Sequence, residues 1–142
     1  MKTTTLAGRI LFSVLFIMSA PGHFSSDTIA YAASQGVPLA NLAVPASGVL
    51  ELLGGLSILL GYKTRWGAIA LVAFLAPVTI MMHNFWAVTD PTMHQLQMVM
   101  FFKNVGLIGA AMTLVVHGAG AYSLDARLEA KRGSGGTAAV AA

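Results

Sequence analysis

Three charged side chains interrupt long apolar runs in this sequence: Arg9, Glu51 and Lys103. An ion at the middle of a helix in hydrocarbon costs roughly 2.5–3.5 kcal/mol on insertion scales, so such residues face a bundle interior and find partners. Glu51 is the acid available within the runs, about ten residues or roughly 15 Å from the nearer end of its own run at helical rise. Arg9 enters from the same side as that end, and Lys103 enters from the opposite side, roughly 12–15 Å deep. Both have long stems that extend toward Glu51. Two chemistries are open to this set. Arg9, Glu51 and Lys103 could form a structural ion pair that fixes helix register. Alternatively, a polar site around Glu51 could bind a head group or relay protons.

A second polar group gathers near the other end of the runs. His83, Asn84 and Trp86 are followed by His94, Gln95 and Gln97, with Lys103 and Asn104 two turns deeper. A pocket built from Glu51, His83, Lys103 and Asn104 suits a quinone-like ring. Imidazole and amide groups hydrogen-bond its carbonyls while apolar walls hold the rest. No metal site is expected. His23, His83 and His94 share one side but lack HxxxH spacing or companion carboxylates, and His117 belongs to the other side. The methionines Met81, Met82, Met93, Met98 and Met100 read as apolar filling rather than thioether ligands. The absence of cysteine excludes disulfides, thiolate metal sites and CxxC redox centres. No phosphate loop, dinucleotide fingerprint, HExxH motif or organised nucleophile is present.

These residues need elements to hold them, and composition says in what solvent. Of 142 residues, 56% are hydrophobic and 9% charged, whereas a soluble domain carries about 25% charged residues. There is too little polar surface for water, so the expected fold is an all-α bundle of four transmembrane helices. The spans fall at about residues 6–20, 38–61, 66–85 and 93–118. Pro38 is placed to open the second span, Pro45 to kink it or mark its regular start, and Pro77 to kink the third. A short helix between spans one and two is expected to be capped by Asp27 and ended by Gly36. The first span resembles a cleavable signal, but Arg9 crowds its apolar run and Pro21 would hinder cleavage, so it is read as retained. Gly54, Gly55 and Ser57 in span two, and Gly106, Gly109, Ala110 and Ala111 in span four, offer small faces for close helix approach.

Charge sets the expected orientation. Lys2, Arg9, Lys63, Arg65, Arg127, Lys131 and Arg132 fall at one end of the bundle, while the loops around residues 22–37 and 86–94 carry no Lys or Arg. By the positive-inside rule both termini are cytoplasmic and the short helix lies outside. Residues 1–126 form the transmembrane domain and residues 127–142 a polar cytoplasmic tail, expected to be disordered. No basic–aromatic pattern points to nucleic acid. The lipid bilayer is the first partner.

In order and spacing, several short motifs together resemble the DoxX family of small bacterial membrane proteins over about residues 6–126. They are Gly8-Arg9, Gly36-Val37-Pro38, Glu51-Leu52-Leu53-Gly54-Gly55, Gly61 with Arg65, His83-Asn84-Phe85-Trp86, Phe102-Lys103-Asn104, Gly118-Ala119-Gly120 and Ser123-Leu124-Asp125. The resemblance implies a four-helix, multi-pass protein of the bacterial inner membrane. It also implies similarity to a small subunit of thiosulfate:quinone oxidoreductase, and a link with membrane redox or detoxification complexes. The expectation is therefore an accessory or quinone-interacting subunit beside a redox partner or as a homodimer. A non-enzymatic scaffold or a small-molecule transporter is the alternative, and independent catalysis is left open.

Overall fold

The computed structural model describes residues 2–139, and side chains as far as Arg132. Among the described residues the regular elements are helical. Helix α1 (Lys2–Ser19) runs into a 3-10 segment (Ala20–Phe24), followed by α2 (Ser26–Ser34), α3 (Ala40–Leu60) and α4 (Thr64–Met82). A 3-10 turn (Phe85–Ala87) leads to α5 (Pro91–His117) and then α6 (Leu124–Ala139). Four segments are long and apolar enough to cross a membrane: Lys2–Phe24, Ala40–Leu60, Thr64–Ala87 and Pro91–His117. Only helices and closed barrels satisfy their backbone in lipid, so an apolar chain of this composition settles into such segments.

Helix α3 packs on α1 and α4, and α4 packs on α5. The core between them is Phe16, Ile58, Ala68, Leu71, Phe74 and Leu75. Without a hydrophobic drive between helices in lipid, close packing must supply the attraction, and small residues permit it. The tightest crossing joins α3 and α4. A Cβ on Gly67 would collide with the Ser57 hydroxyl, and one on Gly54 would lie 2.8 Å from Leu71 Cδ2 and 3.1 Å from the Gly67 carbonyl oxygen. Gly67→Val is therefore expected to destabilise the bundle by about 1–3 kcal/mol through overpacking. Thermal unfolding in detergent checks this against Ala76→Val, on the exposed side of the same helix; equal midpoints for the two variants would refute it.

The helix ends differ in detail from the sequence expectations. Helix α2 is capped by Ser25, whose hydroxyl accepts from Thr28 N at 3.2 Å, and Asp27 sits in the first turn instead. Helix α3 begins at Ala40, after Leu39 in a left-handed conformation (φ 50°), so Pro38 lies outside it and Pro45 inside. Helix α5 starts on an Asp90 cap, with the carboxylate accepting from Met93 N at 2.8 Å. The start of α4 is capped from far along the chain: Asp125 accepts from Lys63 N at 2.8 Å and from Thr64 N at 3.1 Å. Small α5 residues expected to pack closely do not all do so, since a Cβ on Gly106 or Gly109 would meet nothing within 4 Å. The segment from residue 127, expected to be disordered, continues as α6 to Ala139. Ser123 supports that helix start by accepting from Ala126 N at 3.1 Å, and Asp125 lies in its first turn. Residues 140–142 of the expected tail lie outside the described residues.

Candidate functional site

Glu51 is buried, with 2% of its surface exposed. Ser19, the last residue of α1, donates its hydroxyl to Glu51 Oε1 in a short hydrogen bond. The 3-10 segment that continues α1 places His23 so that Nδ1 lies 3.2 Å from Glu51 Oε2. The two atoms are in contact but not aligned as a hydrogen bond, and neither has a hydrogen-bond partner among the described residues. Gly48, one turn before Glu51, makes this approach possible. A Cβ there would stand 2.6 Å from His23 Cβ. The His23 ring also meets Phe74 edge-on, with centroids 5.6 Å apart. The result is a carboxylate shared between α1 and α3, with one imidazole between it and what lies beyond.

What lies beyond is a cleft of about 680 Å³ walled by α2, α3, α4 and α5. Its lining is mostly apolar, from residues such as Val44, Leu50, Phe74, Pro77, Met81 and Met100, with His23, His83 and Gln97 among its few polar members. Leu50 and Leu96 on its walls are also 36% and 46% exposed, so the cleft is open to the bundle surface rather than sealed. His83 follows the last residue of α4, and its Nδ1 is 2.8 Å from Gln97 Oε1 on α5. With the amide oriented this way, Nδ1 carries the proton, which leaves Nε2 and the Gln97 amide hydrogens for other partners. Volume and lining both fall within the range of small-molecule sites.

The sequence expectations divide here. His83 lines the cleft, and Glu51 stands behind it through His23. Arg9 does not meet Glu51. Its guanidinium donates to the carbonyls of Ala119 (2.6 Å), Tyr122 (2.9 Å) and Leu59 (3.2 Å). The register of antiparallel α1 and α3 explains this. Ser19 is opposite Glu51, and Arg9, ten residues back or about 15 Å away, is opposite Leu59. Lys103 is on the exposed side of α5 and forms no hydrogen bond or ion pair among the described residues. Asn104 is buried at 4% but is not on the cleft wall. His94 packs edge-on against Phe85 at 5.6 Å. The residues overlooked as partners of Glu51 are Ser19 and His23. The signal for them was their position just after an apolar run, with small Gly48 one turn from Glu51.

The DoxX family model matches residues 4–84, and the SURF4 family model matches residues 46–131. Inner membrane protein YphA of Escherichia coli K12 is 33% identical over 124 residues, which is 86% of this chain and 88% of that protein. Inner membrane protein YqjF of the same organism is 33% identical over 128 residues, 89% of this chain and 92% of its own length. The ER-derived vesicles protein ERV29 of Saccharomyces cerevisiae is 30% identical over 77 residues, covering 54% of this chain but 24% of the yeast protein. No solved structure matches. With four apolar helices and inner-membrane relatives matched over most of their length, this chain belongs to the DoxX family and is a multi-pass protein of the inner membrane.

Proposed function

We propose that the chain is an accessory subunit of a membrane redox system that takes a quinone-like, lipid-soluble ring into the cleft between α2, α3, α4 and α5. The supporting observation is the cleft itself: apolar walls around about 680 Å³, with imidazoles from His23 and His83 on its lining. A ring with two carbonyls and an isoprenoid tail needs apolar walls and a few fixed polar groups. His23 lines the cleft while its Nδ1 is held against Glu51, and the Gln97 amide, whose oxygen accepts from His83 Nδ1, keeps its N–H groups to donate to a ring carbonyl. A partner would supply the electrons, since the sequence carries neither cysteine nor a recognisable cofactor motif. The distribution of Lys and Arg supports cytoplasmic termini, with residues 127–142 as a cytoplasmic extension of the 1–126 domain. The cleft then lies beneath the outer surface.

The test uses protein purified from native membrane in mild detergent. Extraction should recover a quinone, and added decylubiquinone should bind. Gln97→Leu should weaken that binding about tenfold, the worth of one good hydrogen bond from its amide N–H to a ring carbonyl, with an unchanged unfolding midpoint. Recovering no quinone, under conditions that preserve a known quinone-binding control, overturns the reading. The Ser19–Glu51–His23 contacts join α1 to α3 and favour one alternative, a scaffold in which Glu51 serves stability alone. Glu51→Gln separates the two. Normal protein level with weakened decylubiquinone binding supports the site, and loss of the protein from the membrane supports the scaffold.

A further inference from the structure

We propose that the Lys103 face of α5 docks a transmembrane helix of another protein, one carrying an Asp or Glu at mid-membrane depth. Lys103 is twelve residues after Pro91 and fourteen before His117. It is therefore about 18 Å and 21 Å from the two ends of α5. A four-methylene stem covers only part of the distance to either membrane surface. Charged residues at this depth normally turn into the bundle, where they pair. Lys103 does the opposite. It is exposed, and no described residue pairs with it.

The surface around it is shaped for a neighbour. Val99 before Lys103, and Gly106, Ala110 and Thr113 after it, lie at helical spacing on the same face, and all are exposed. A Cβ on Gly106 would meet nothing within 4 Å. Only 11% of the apolar stretch of α5 is buried, against 33% for α3, so α5 has the barest flank of the four spanning segments. Charge complementarity then selects the occupant. A second copy brings no carboxylate to this depth. Its Glu51 is buried against Ser19 and His23, Asp90 and Asp125 cap helices, and Asp27 and Glu129 lie outside the spans. A two-fold contact through this face would also set lysine toward lysine. The carboxylate must come from a different polypeptide.

The full chain, labelled and reconstituted in phosphatidylcholine vesicles, is titrated with a leucine-based transmembrane peptide bearing one mid-span Asp. Energy transfer reads association. The Asp peptide should associate about tenfold more tightly than its all-leucine counterpart, as expected for one strong polar contact in lipid. Lys103→Met should abolish the difference without lowering the unfolding midpoint, because the side chain supports nothing within the fold. Lys103→Asp should restore it with a peptide bearing Lys. In native membranes, a photoreactive side chain at position 99 should crosslink to a polypeptide with an acidic transmembrane segment. Equal affinity for the two peptides overturns the proposal, as does an unchanged preference in Lys103→Met. Crosslinks confined to a second copy or to lipid also overturn it.

Discussion

Arg9→Met is expected to destabilise the protein by about 4 kcal/mol, more than any substitution in the cleft. Arg9 is 3% exposed and its guanidinium holds three carbonyls, of Leu59, Ala119 and Tyr122. Hydrogen bonds to a charged group are worth about 1.5–3 kcal/mol each, and their loss leaves acceptors stranded. Methionine fills comparable apolar space but donates nothing. Arg9→Lys keeps the charge on a point donor without the planar fork, so it should fall between wild type and Arg9→Met. Unfolding in detergent reads the series. A midpoint for Arg9→Met equal to that of wild type would show that the three contacts contribute little.

Gly61→Val should have an effect of similar size by a different route. Gly61 closes α3 at φ 67°, a left-handed conformation that costs an ordinary residue roughly 1–2 kcal/mol. A Cβ there would stand 2.5 Å from Ser123 Cβ and 2.9 Å from Arg9 Nη1. Overpacking adds about 1–3 kcal/mol. The Gly61 carbonyl also accepts from Asp125 N at 2.8 Å, so a shift would disturb the residue that caps α4. Because Gly61 and Arg9 touch, the double variant should lose less than the sum of the two single losses. Strict additivity would mean that the two residues act independently despite their contact.

Much of the architecture was legible because hydropathy and length alone locate segments that must lie in lipid. The observed spanning segments and the expected ones differ mainly at their ends, where caps decide. Leu39 adopting a left-handed conformation and Asp125 capping α4 across 62 residues leave no periodic trace in the sequence. The candidate site was legible by residue type but not by partner. Glu51 and His83 stood out because polar groups are rare in apolar runs, yet depth matching paired Arg9 with the wrong acceptor. Backbone carbonyls, which Arg9 actually binds, have no residue letter. His23 depended on the chain continuing past Ser19 as a 3-10 segment, a conformation that Pro21 permits but does not announce. Lys103 was expected inside because cost argues for pairing, and its outward position is the departure on which the proposed docking of a second helix rests.

The Arg9 contacts also impose an order in time. Arg9 is synthesised 110 residues before Ala119 and 113 before Tyr122. At roughly 5–20 residues per second this is an interval of roughly 5–20 s. Throughout it, the first helix holds a cation whose final acceptors have not left the ribosome. Only Leu59, 50 residues on, becomes available earlier. The first helix must therefore wait at the membrane surface or beside the insertion machinery, and the bundle locks only when the turn after α5 arrives. Emergence of the turn after α5 is thus the step that commits the first helix to its place, and a ribosome stalled before Ala119 would leave a nascent bundle exposed to membrane proteases.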